Sequence, residues 1–351
     1  MSRGGDLMKG NVTMRDIADK MGVSSVTVSK ALNDKEGVSD DLKSKIKVLA
    51  EEMGYRLNTA AKSMKEGYSY NVGIIIPERF TGDDSQSFYL KFYQHITKVL
   101  ENYHYYGILQ ILSSEDEDQL QLPRTYYENK VDGFIILGQV SSEYIHLLTE
   151  HNIPKVFLDF YTDHSEVDSI VTDNFYGVYE LTNYLIRNGH REIGFVGNIH
   201  STSSIQDRFL GYYKSLLEHR IDLNQSFVVH DRDDKGRLFD VVQLPQPLPS
   251  AFICNNDRVA FNLIQQLKSI GLSIPNDCSV VGFDNDIYST LSSPPITTVQ
   301  VNLEEMSTVA VKYIIGKIKN TETSYGRVLI KGQIIHRESV KELSKRTDLA
   351  K

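Results

Sequence analysis

The stretch Val12 to Asn33, VTMRDIADKMGVSSVTVSKALN, decides the N-terminal fold. Thr13 is placed to cap a short helix, and Gly22 supplies a tight turn before a second helix that begins near Ser24 or Ser25. Apolar residues recur at helical spacing in both segments, which predicts that the helices pack together as a helix-turn-helix. A helical hairpin inside a larger helical domain is the alternative, and this stretch alone supports both interpretations equally.

The exposed face of the second helix has the side chains that a recognition helix offers to DNA. Ser25 and Ser29 carry hydroxyls suited to phosphates. Val26 can contact a thymine methyl group, and Lys30 can place its cation near guanine. This face therefore favours insertion into the major groove.

Two further segments extend the headpiece. Ser39 can cap a third helix, which has two aspartates in its first turn, where the helix dipole favours negative charge, and which Gly54 ends. Asn58 can then cap a single turn of small residues that runs to Gly67. A helix this short is marginal alone in water, so we expect it to be ordered only against a partner.

These residues resemble the lactose-repressor (LacI/GalR) family of bacterial transcription regulators, and the resemblance covers almost the whole chain. The motifs that carry it are T-x-x-D-I-A, G-V-S-x-x-T-V-S-K and L-N in the helix-turn-helix, then V-S, G-Y and the A-K-S-M hinge. The resemblance implies that hinge helices of two subunits pair in the minor groove. It assigns DNA contacts to Thr13, Arg15, Ser24, Ser25, Val26, Thr27, Ser29, Lys30, Asn33, Tyr55, Asn58, Ala61, Met64 and Lys65.

The chain departs from the family at three positions. Met64 stands where an apolar side chain, usually leucine, wedges between base steps; methionine is flexible but has a similar volume. Lys30 stands where arginine is common, and its point charge should contact guanine less strictly than a planar guanidinium. Leu57 stands where proline is common, which leaves the approach to the hinge less rigid.

Length and charge fit a regulator of this kind without identifying one. The 351 residues leave room for a headpiece and two larger lobes. The net charge is -8 overall but +2 between Lys9 and Gly67, so the expectation of DNA binding rests on the motif. Cys254 and Cys278 lie in apolar stretches and are expected to be buried free thiols. The sequence has neither an apolar leader nor a long apolar run, so we expect a soluble cytoplasmic protein.

Beyond the hinge, short apolar strands alternate with helices. Strands that are apolar on both faces and separated by helices predict parallel sheets covered on both sides. The predicted strands are 72–77, 107–112, 132–137, 155–159, 192–197, 251–255 and 279–283. The predicted helices are 87–103, one helix before residue 132, then 174–188, 205–220, 256–270 and 304–319.

The predicted fold class is α/β. A three-helix headpiece and a hinge helix precede a two-lobed, doubly wound parallel-sheet domain, which the resemblance likens to periplasmic binding proteins. The predicted domains are the headpiece at 9–57, the hinge at 58–69 and the lobes at 70–340. The resemblance gives a first lobe of about 70–163 and 299–330 and a second lobe of about 164–298 and 331–340.

Ligands of such sheets bind beyond the carboxyl ends of the strands, so the cleft between the lobes is the predicted effector site. Asp159, Arg208, Asn256 and Asp284 lie at strand ends or helix starts. Spacing alone favours helix capping by Asn256 and Asp284 and a surface ion pair for Arg208. The resemblance implies instead that all four line the cleft and hydrogen-bond a ligand.

Other residues are candidates for the same cleft on weaker grounds. Phe88, Tyr89 and Phe283 are aromatic side chains suited to stacking on the apolar face of a sugar ring. Gln139 and Asp173 are polar candidates from the first lobe.

An enzyme is the main alternative function, because a small-molecule kinase or a dehydrogenase also has two lobes. The sequence contains no glycine-rich phosphate loop, no H-x-x-x-H or C-x-x-C pair and no G-x-S-x-G elbow. We therefore expect neither catalysis nor a cofactor or metal. A periplasmic sugar-binding protein for transport is disfavoured by the missing leader and the helix-turn-helix.

The predicted function is transcriptional regulation, with repression as the expected form. The protein is expected to bind a pseudo-palindromic operator as a homodimer, whose subunits contact each other mostly through the first lobe. An effector in the cleft is expected to change the angle between the lobes and to bias the hinge between order and disorder. Acidic cleft residues favour a neutral sugar as that effector. The tail after Val340 lacks a leucine heptad, which favours a dimer over a tetramer. The sequence leaves open whether the effector releases or promotes DNA binding, and it does not distinguish a repressor from an activator.

Overall fold

The computed structural model describes residues 12–56, 63, 66–81, 86–163, 166–233, 236–320 and 324–343. The chain separates into two compact units, residues 1–68 and 69–351. Most of the predicted hinge lies outside the described residues. This applies to Leu57, Asn58, Ala61, Met64 and Lys65.

The first unit contains the helices α1 (Met14–Met21), α2 (Ser25–Leu32) and α3 (Asp40–Glu52). Thr13 Oγ1 accepts a hydrogen bond from the backbone N–H of Asp16 at 3.3 Å, and the Asp16 carboxylate accepts one from the Thr13 N–H at 2.8 Å. This reciprocal capping box fixes the start of α1.

The turn and the second cap follow from the local sequence. Gly22 has a φ of +68°, in the left-handed region that glycine enters without a Cβ penalty. Ser24 caps α2, because its Oγ accepts from the N–H of Thr27 at 3.0 Å. The three helices enclose a core of their own, which excludes a hairpin buried in a larger helical domain. That core consists of Ile17, Ala18, Val28, Ala31, Ile46 and Ala50.

The second unit is built on parallel sheets. Its strands in chain order are β1 (Asn71–Pro77), β2 (Tyr106–Leu112), β3 (Gly133–Leu137), β4 (Lys155–Leu158), β5 (Ser169–Thr172), β6 (Ile193–Val196), β7 (Val228–Val229), β8 (Ala251–Cys254), β9 (Ser279–Val281), β10 (Thr298–Gln300), β11 (Arg327–Ile330) and β12 (Gln333–Ile335). In the described part of the chain, one sheet has the order β11-β5-β4-β3-β1-β2 and another has the order β7-β6-β8-β9. All pairs in these two sheets are parallel, as predicted.

Helices cover these sheets and bury their central strands, while the edge strand β2 stays partly exposed. They are α4 (Gln86–Glu101), α5 (Ser114–Asp118), α6 (Arg124–Tyr127), α7 (Ser142–Glu150), α8 (Asn174–Arg187), α9 (Ser203–Glu218), α10 (Asp257–Ser269), α11 (Ile287–Leu291) and α12 (Leu303–Ile318). Every residue of β3, β5, β6 and β8 is buried. The two sheets define the first and second lobes.

Two lobe boundaries differ from the predicted ones. Strand β5 pairs with β4 and β11 in the first lobe, although we assigned residues 164–298 to the second. Strand β10 pairs antiparallel with β12 and bridges from Gln300 to Asp284, which attaches residues 298–300 to the second lobe. Strands of three or four residues carry too short a pattern to be assigned to a sheet from sequence.

The segment between β2 and β3 is also not the single helix that we predicted. It forms α5 and α6, with Leu120 at a φ of 55° between them. Pro123 follows, and its ring disfavours helical geometry in the residue before it. The helix is therefore interrupted after one turn.

Candidate functional site

Arg208 is a firmly anchored polar side chain near the carboxyl ends of the second-lobe strands. It lies on α9 and is only 6% exposed. Its Nε donates to Asn174 Oδ1 at 2.8 Å, its Nη1 to the Asn255 carbonyl at 2.5 Å, and its Nη2 to Asp284 Oδ1 at 3.3 Å. The surface ion pair that spacing favoured for Arg208 is therefore wrong. Three of the five guanidinium N–H groups have these partners among the described residues, which leaves two for a ligand.

Phe283 does not offer a free ring face, which corrects its predicted role as a stacking surface. It is fully buried, and the Arg208 guanidinium carbon lies 3.9 Å from its ring centroid. The ring also packs against the backbone of Gly177, where an added Cβ would lie 3.0 Å from the ring. The Phe283 ring thus makes a cation–π contact with the Arg208 guanidinium and helps to hold it in place.

The first lobe contributes Asp159 and Tyr89. The Tyr89 hydroxyl donates to Asp159 Oδ2 at 3.1 Å. Both side chains are half-buried, and Tyr89 also packs edge-on against Phe88 and tilted against Phe80. Phe88 itself is half-buried and packs edge-on on Phe92, so its ring belongs partly to the first-lobe core.

The two cleft aspartates share an uncommon backbone conformation. Asp159 follows β4 with a φ of 69°, and Asp284 follows β9 with a φ of 98°. A non-glycine residue in this region is strained, and such strain concentrates at functional sites. Asp284 is not a helix cap, because Asp286 caps α11 by accepting from the Tyr288 N–H at 2.9 Å.

The electrostatics of these aspartates are coupled across the cleft. Burial raises the pKa of Asp159 to about 7, and the negative charge of Asp284 adds to this rise. Burial also raises the pKa of Asp284, against the opposing charge of Arg208. Burial and the charge of Asp284 raise the pKa of Asp286 to about 6. A cleft with these acids favours a ligand that brings hydrogen-bond donors and no negative charge.

Direct hydrogen bonds join the two lobes at two places. Gln139 Oε1 accepts from the backbone N–H of Ser203 at 3.1 Å and from its hydroxyl at 3.3 Å. The Tyr161 hydroxyl donates to Asp207 Oδ1 at 2.9 Å. Both second-lobe partners lie on α9, the helix that carries Arg208. Gln139, which was predicted as a ligand contact, therefore connects the lobes.

Two other predicted cleft residues are helix caps. Asn256 Oδ1 accepts from the Val259 N–H at 2.9 Å and caps α10, as its spacing indicated. Asp173 Oδ1 accepts from the Tyr176 N–H at 3.0 Å and caps α8. Each cap uses one oxygen of the side chain. Asp173 directly follows β5 and Asn256 lies two residues after β8, so both residues are also near strand ends.

The headpiece face combines exposed and structural side chains. Val26 is 65% exposed, and Arg15, Ser25 and Lys30 are exposed as well. Ser29 is only half-buried, which leaves part of its surface accessible.

Several predicted DNA contacts also have structural roles. Thr13 and Ser24 are caps, and Thr27 Oγ1 lies 2.8 Å from the Ser24 hydroxyl. Asn33 donates from its side-chain amide to the Ser29 carbonyl at 2.8 Å, and Tyr55 packs against the headpiece core.

The described residues contain no group of three or more His, Cys, Asp or Glu that is arranged to hold a metal ion. Within the same residues, no helix is long and apolar enough to cross a membrane. Cys254 and Cys278 are buried free thiols, as expected from their apolar surroundings.

Sequence reasoning missed the partners that hold the site together. Asn174 and Asn255 bind Arg208, while Tyr161, Ser203 and Asp207 join the lobes. Asn255 follows a buried strand directly, so the strand-end argument applied to it as well. The tyrosine–aspartate pair connects residues 46 apart in sequence and leaves no local pattern.

Comparisons with known proteins cover both units. Residues 13–58 match the family model "Bacterial regulatory proteins, lacI family", and residues 182–340 match "Periplasmic binding protein-like domain". The chain is 30% identical over 342 residues to the "Probable HTH-type transcriptional repressor ExuR" of Bacillus subtilis, covering 95% of this chain and 99% of the relative. It is 28% identical over 341 residues to the "HTH-type transcriptional repressor PurR" of Vibrio campbellii, covering 95% and 99% respectively.

Solved structures show the same fold. A lac repressor dimer bound to operator and the anti-inducer ONPF has a TM-score of 0.73 at 20% identity, over 95% of this chain and 100% of that one. The complex of the transcriptional regulator CelR with cellobiose has a TM-score of 0.67 at 20% identity, over 94% and 100%. With a curated repressor at 30% identity over nearly its full length, this chain belongs to the lacI family of bacterial transcriptional regulators and is not an enzyme.

Proposed function

We propose that this regulator acts in the cytoplasm as a homodimer that represses transcription from a pseudo-palindromic operator, and that a small neutral molecule bound between its lobes controls operator affinity. The observation that carries the proposal is the set of four polar side chains at the cleft: Tyr89, Asp159, Arg208 and Asp284. Two relatives are named as repressors, which supports the proposed repression. One structural neighbour is a complex with operator and the other a complex with cellobiose, which supports DNA binding and a sugar-like effector.

The proposed ligand is a sugar or another polyhydroxylated molecule. Asp159 and Asp284 offer carboxylate oxygens to hydroxyl donors, and Arg208 offers two N–H groups to ligand oxygens. The acidic side chains of Asp159, Asp284 and Asp286 disfavour a phosphate or carboxylate at this position. The half-buried rings of Phe88 and Tyr89 are the aromatic surfaces that remain for stacking after Phe283 is assigned to Arg208.

The proposed dimer contact lies on the first lobe. Strand β2 is the edge strand of its sheet, and it leaves Tyr106 66% and Leu109 39% exposed. Leu90 on α4 is 47% exposed. Exposed apolar side chains along an unpaired strand edge favour association with a second copy of the chain. A leucine-to-lysine change at Leu109 should shift the protein toward monomer in light scattering, while Leu217→Lys on the second lobe should not.

The proposed DNA-binding face is α2 with its exposed Ser25, Val26 and Lys30. In this proposal Arg15, Thr13 and Tyr55 contact the DNA backbone beside the major groove. The side chains that enter the minor groove are those of the hinge residues Asn58, Ala61, Met64 and Lys65. Ser24, Thr27, Ser29 and Asn33 lie on the same helix or at its ends.

The experiment that tests the proposal has two stages. Selection of bound sequences from genomic DNA fragments identifies the operator, which should be an inverted repeat because two recognition helices read two half-sites. Fluorescence anisotropy then measures operator affinity with a panel of neutral sugars, sugar phosphates and purines. A neutral sugar should change the affinity at least tenfold, corresponding to a coupling of about 1.4 kcal/mol.

A matched variant separates the effector site from the fold. Asp284→Asn should weaken the effect of the sugar without changing operator affinity in its absence, whereas the exposed Asp163→Asn should behave like the unchanged protein. An operator response that survives Asp284→Asn would contradict the proposed cleft. Failure to select an inverted repeat would contradict the dimeric binding mode.

A further inference from the structure

The side chain of Asp132 holds the first residues of the second unit. Asp132 directly precedes β3 and is half-buried. Its Oδ1 accepts from the backbone N–H of Ser69 at 2.7 Å, and its Oδ2 accepts from the backbone N–H of Tyr70 at 2.8 Å. Both distances are typical of hydrogen bonds to a carboxylate, which are about twice as strong as neutral ones. One side chain therefore fixes two successive peptide groups.

The two anchored residues lie at the end of the predicted hinge. The Gly67 N–H donates to the Ser63 carbonyl at 2.8 Å, and Gly67 has a φ of 76°, which closes a helical turn. The second compact unit begins at Ser69, the first residue that Asp132 binds. A single residue, Tyr68, therefore separates the closed turn from the anchor.

Tyr70 has a backbone conformation that needs support. Its φ of 59° lies in the left-handed region, which is strained for tyrosine and persists only where the surroundings impose it. Asp132 binds its N–H, and the Tyr106 N–H donates to its carbonyl at 2.9 Å. Its ring also packs against Tyr105, with the ring centroids 5.4 Å apart. Without the carboxylate, the strain favours other conformations of residues 69–70.

The same contacts attach these residues to the first-lobe sheet. Tyr106 is the first residue of β2, and the Asp132 N–H donates to the carbonyl of Asn71, the first residue of β1, at 2.9 Å. These groups lie at the amino ends of the strands, whereas Asp159 follows the carboxyl end of β4. A rearrangement of the first-lobe strands therefore acts directly on residues 69–70.

We propose that Asp132 is a positioning residue that couples the first lobe to the hinge by holding Ser69 and Tyr70 in the conformation that operator binding needs. The inference rests on the proposed function, in which the hinge enters the minor groove. Without the carboxylate, the unbound protein populates other conformations of residues 69–70. Operator binding then has to select the anchored conformation and loses affinity in proportion to its population. Phosphate contacts of the headpiece do not depend on that conformation, so binding to random DNA is retained.

Asp132→Asn tests the proposal, because an amide keeps the volume but replaces one acceptor oxygen by a donor group. In fluorescence anisotropy, the full-length variant should bind the selected operator about tenfold or more weakly than the unchanged protein. A loss of this size is expected when one hydrogen bond to a charged group is removed. Affinity for random DNA of the same length should change by less than about twofold, since it depends on phosphate contacts.

Amide hydrogen exchange measures the anchor itself, without DNA or effector. Peptides that contain Ser69 and Tyr70 should exchange about tenfold faster or more in Asp132→Asn, because both N–H groups are bound by the carboxylate in the unchanged protein. Peptides from β6 and β8 should exchange at the same rate in both proteins, which would show that the second-lobe fold is intact.

Two variants are matched controls. Asn71→Ala removes the bond from Asn71 Nδ2 to the Lys130 carbonyl at 3.0 Å, beside the anchor, but keeps both contacts of Asp132. Asp118→Asn makes the same chemical change at an exposed position of the first lobe. Both controls should bind the operator as tightly as the unchanged protein.

The possible results separate this inference from the proposed function. Unchanged exchange at residues 69–70, or unchanged operator affinity in Asp132→Asn, would overturn the anchor. Equal losses on operator and random DNA, or the same loss in Asn71→Ala, would limit Asp132 to a structural role. Failure of every sugar in the panel to change operator affinity would contradict the effector site instead, since the exchange and operator measurements on Asp132→Asn need no effector.

Discussion

Replacing Asp159 by asparagine should remove a pH-dependent loss of stability. Burial, together with the charge of Asp284, raises the pKa of Asp159 from its ordinary 3.8 to about 7. Between these values the folded protein binds more protons than the unfolded chain. The free energy of unfolding therefore falls as the pH rises from about 4 to about 7, and the loss is complete above pH 7.

The size of the effect follows from the two pKa values. A difference of about three pH units corresponds to at most about 4 kcal/mol, since each unit is worth about 1.4 kcal/mol. Asp159 is half-buried, so screening by water reduces this bound. Asparagine keeps the shape and can still accept from the Tyr89 hydroxyl. We expect Asp159→Asn to raise the free energy of unfolding by about 1–3 kcal/mol at pH 8 and to leave it nearly unchanged at pH 4.

Urea unfolding followed by far-ultraviolet circular dichroism at several pH values measures this difference, because the chain contains no tryptophan for fluorescence. Asp163→Asn is the matched control, since this aspartate is exposed and lies near Asp159 in the chain. Parallel pH profiles for Asp159→Asn and the unchanged protein would refute the reasoning, because they would mean that Asp159 titrates alike in both states.

Three further changes test the remaining parts of the molecule. Lys30→Ala should weaken operator binding by about 1–3 kcal/mol in a gel-shift titration and relax base preference at one half-site position; an equal loss on random DNA would limit Lys30 to phosphate contact. Met64→Ala should reduce operator bending in a circular-permutation assay, and unchanged bending would exclude the wedge. Arg208→Lys should lower the free energy of unfolding by about 1.5–3 kcal/mol and abolish the effector response, because an ammonium cannot reproduce the three separate guanidinium bonds; a retained response would remove Arg208 from the site.

The headpiece was predictable because its determinants are local. The Thr13 cap, the Gly22 turn and the Ser24 cap each depend on residues within four positions of one another. Such contacts are encoded in a short window and need no knowledge of the rest of the fold. The strand–helix alternation of the lobes was predictable for the same reason, since fully buried strands read as apolar runs.

The cleft was predictable only in part. Strand ends indicated Asp159, Arg208 and Asp284, but not which side chains they contact. Phe283 has the residue type of a stacking surface, and only its burial beneath the guanidinium reveals a supporting role. The position of Asn256 in the sequence is compatible with both helix capping and ligand binding, and the structure shows the capping hydrogen bond. Contacts between residues distant in sequence depend on how elements pack, which a local pattern does not contain.

The lobe contacts set the scale on which an effector must act. Tyr161 and Gln139 each hold α9 from the first lobe, at Asp207 and Ser203 respectively. A hydrogen bond of this kind contributes about 0.5–1.5 kcal/mol, so the two together favour this arrangement of the lobes by about 1–3 kcal/mol. A ligand that prefers another arrangement by more than that amount shifts the population, which requires a difference in affinity of about 5-fold to 150-fold between the two arrangements. Arg208 lies on α9, the helix that both lobe contacts bind. A ligand bound to Arg208 therefore affects the same helix as the lobe contacts, so no longer network of residues is needed to couple them.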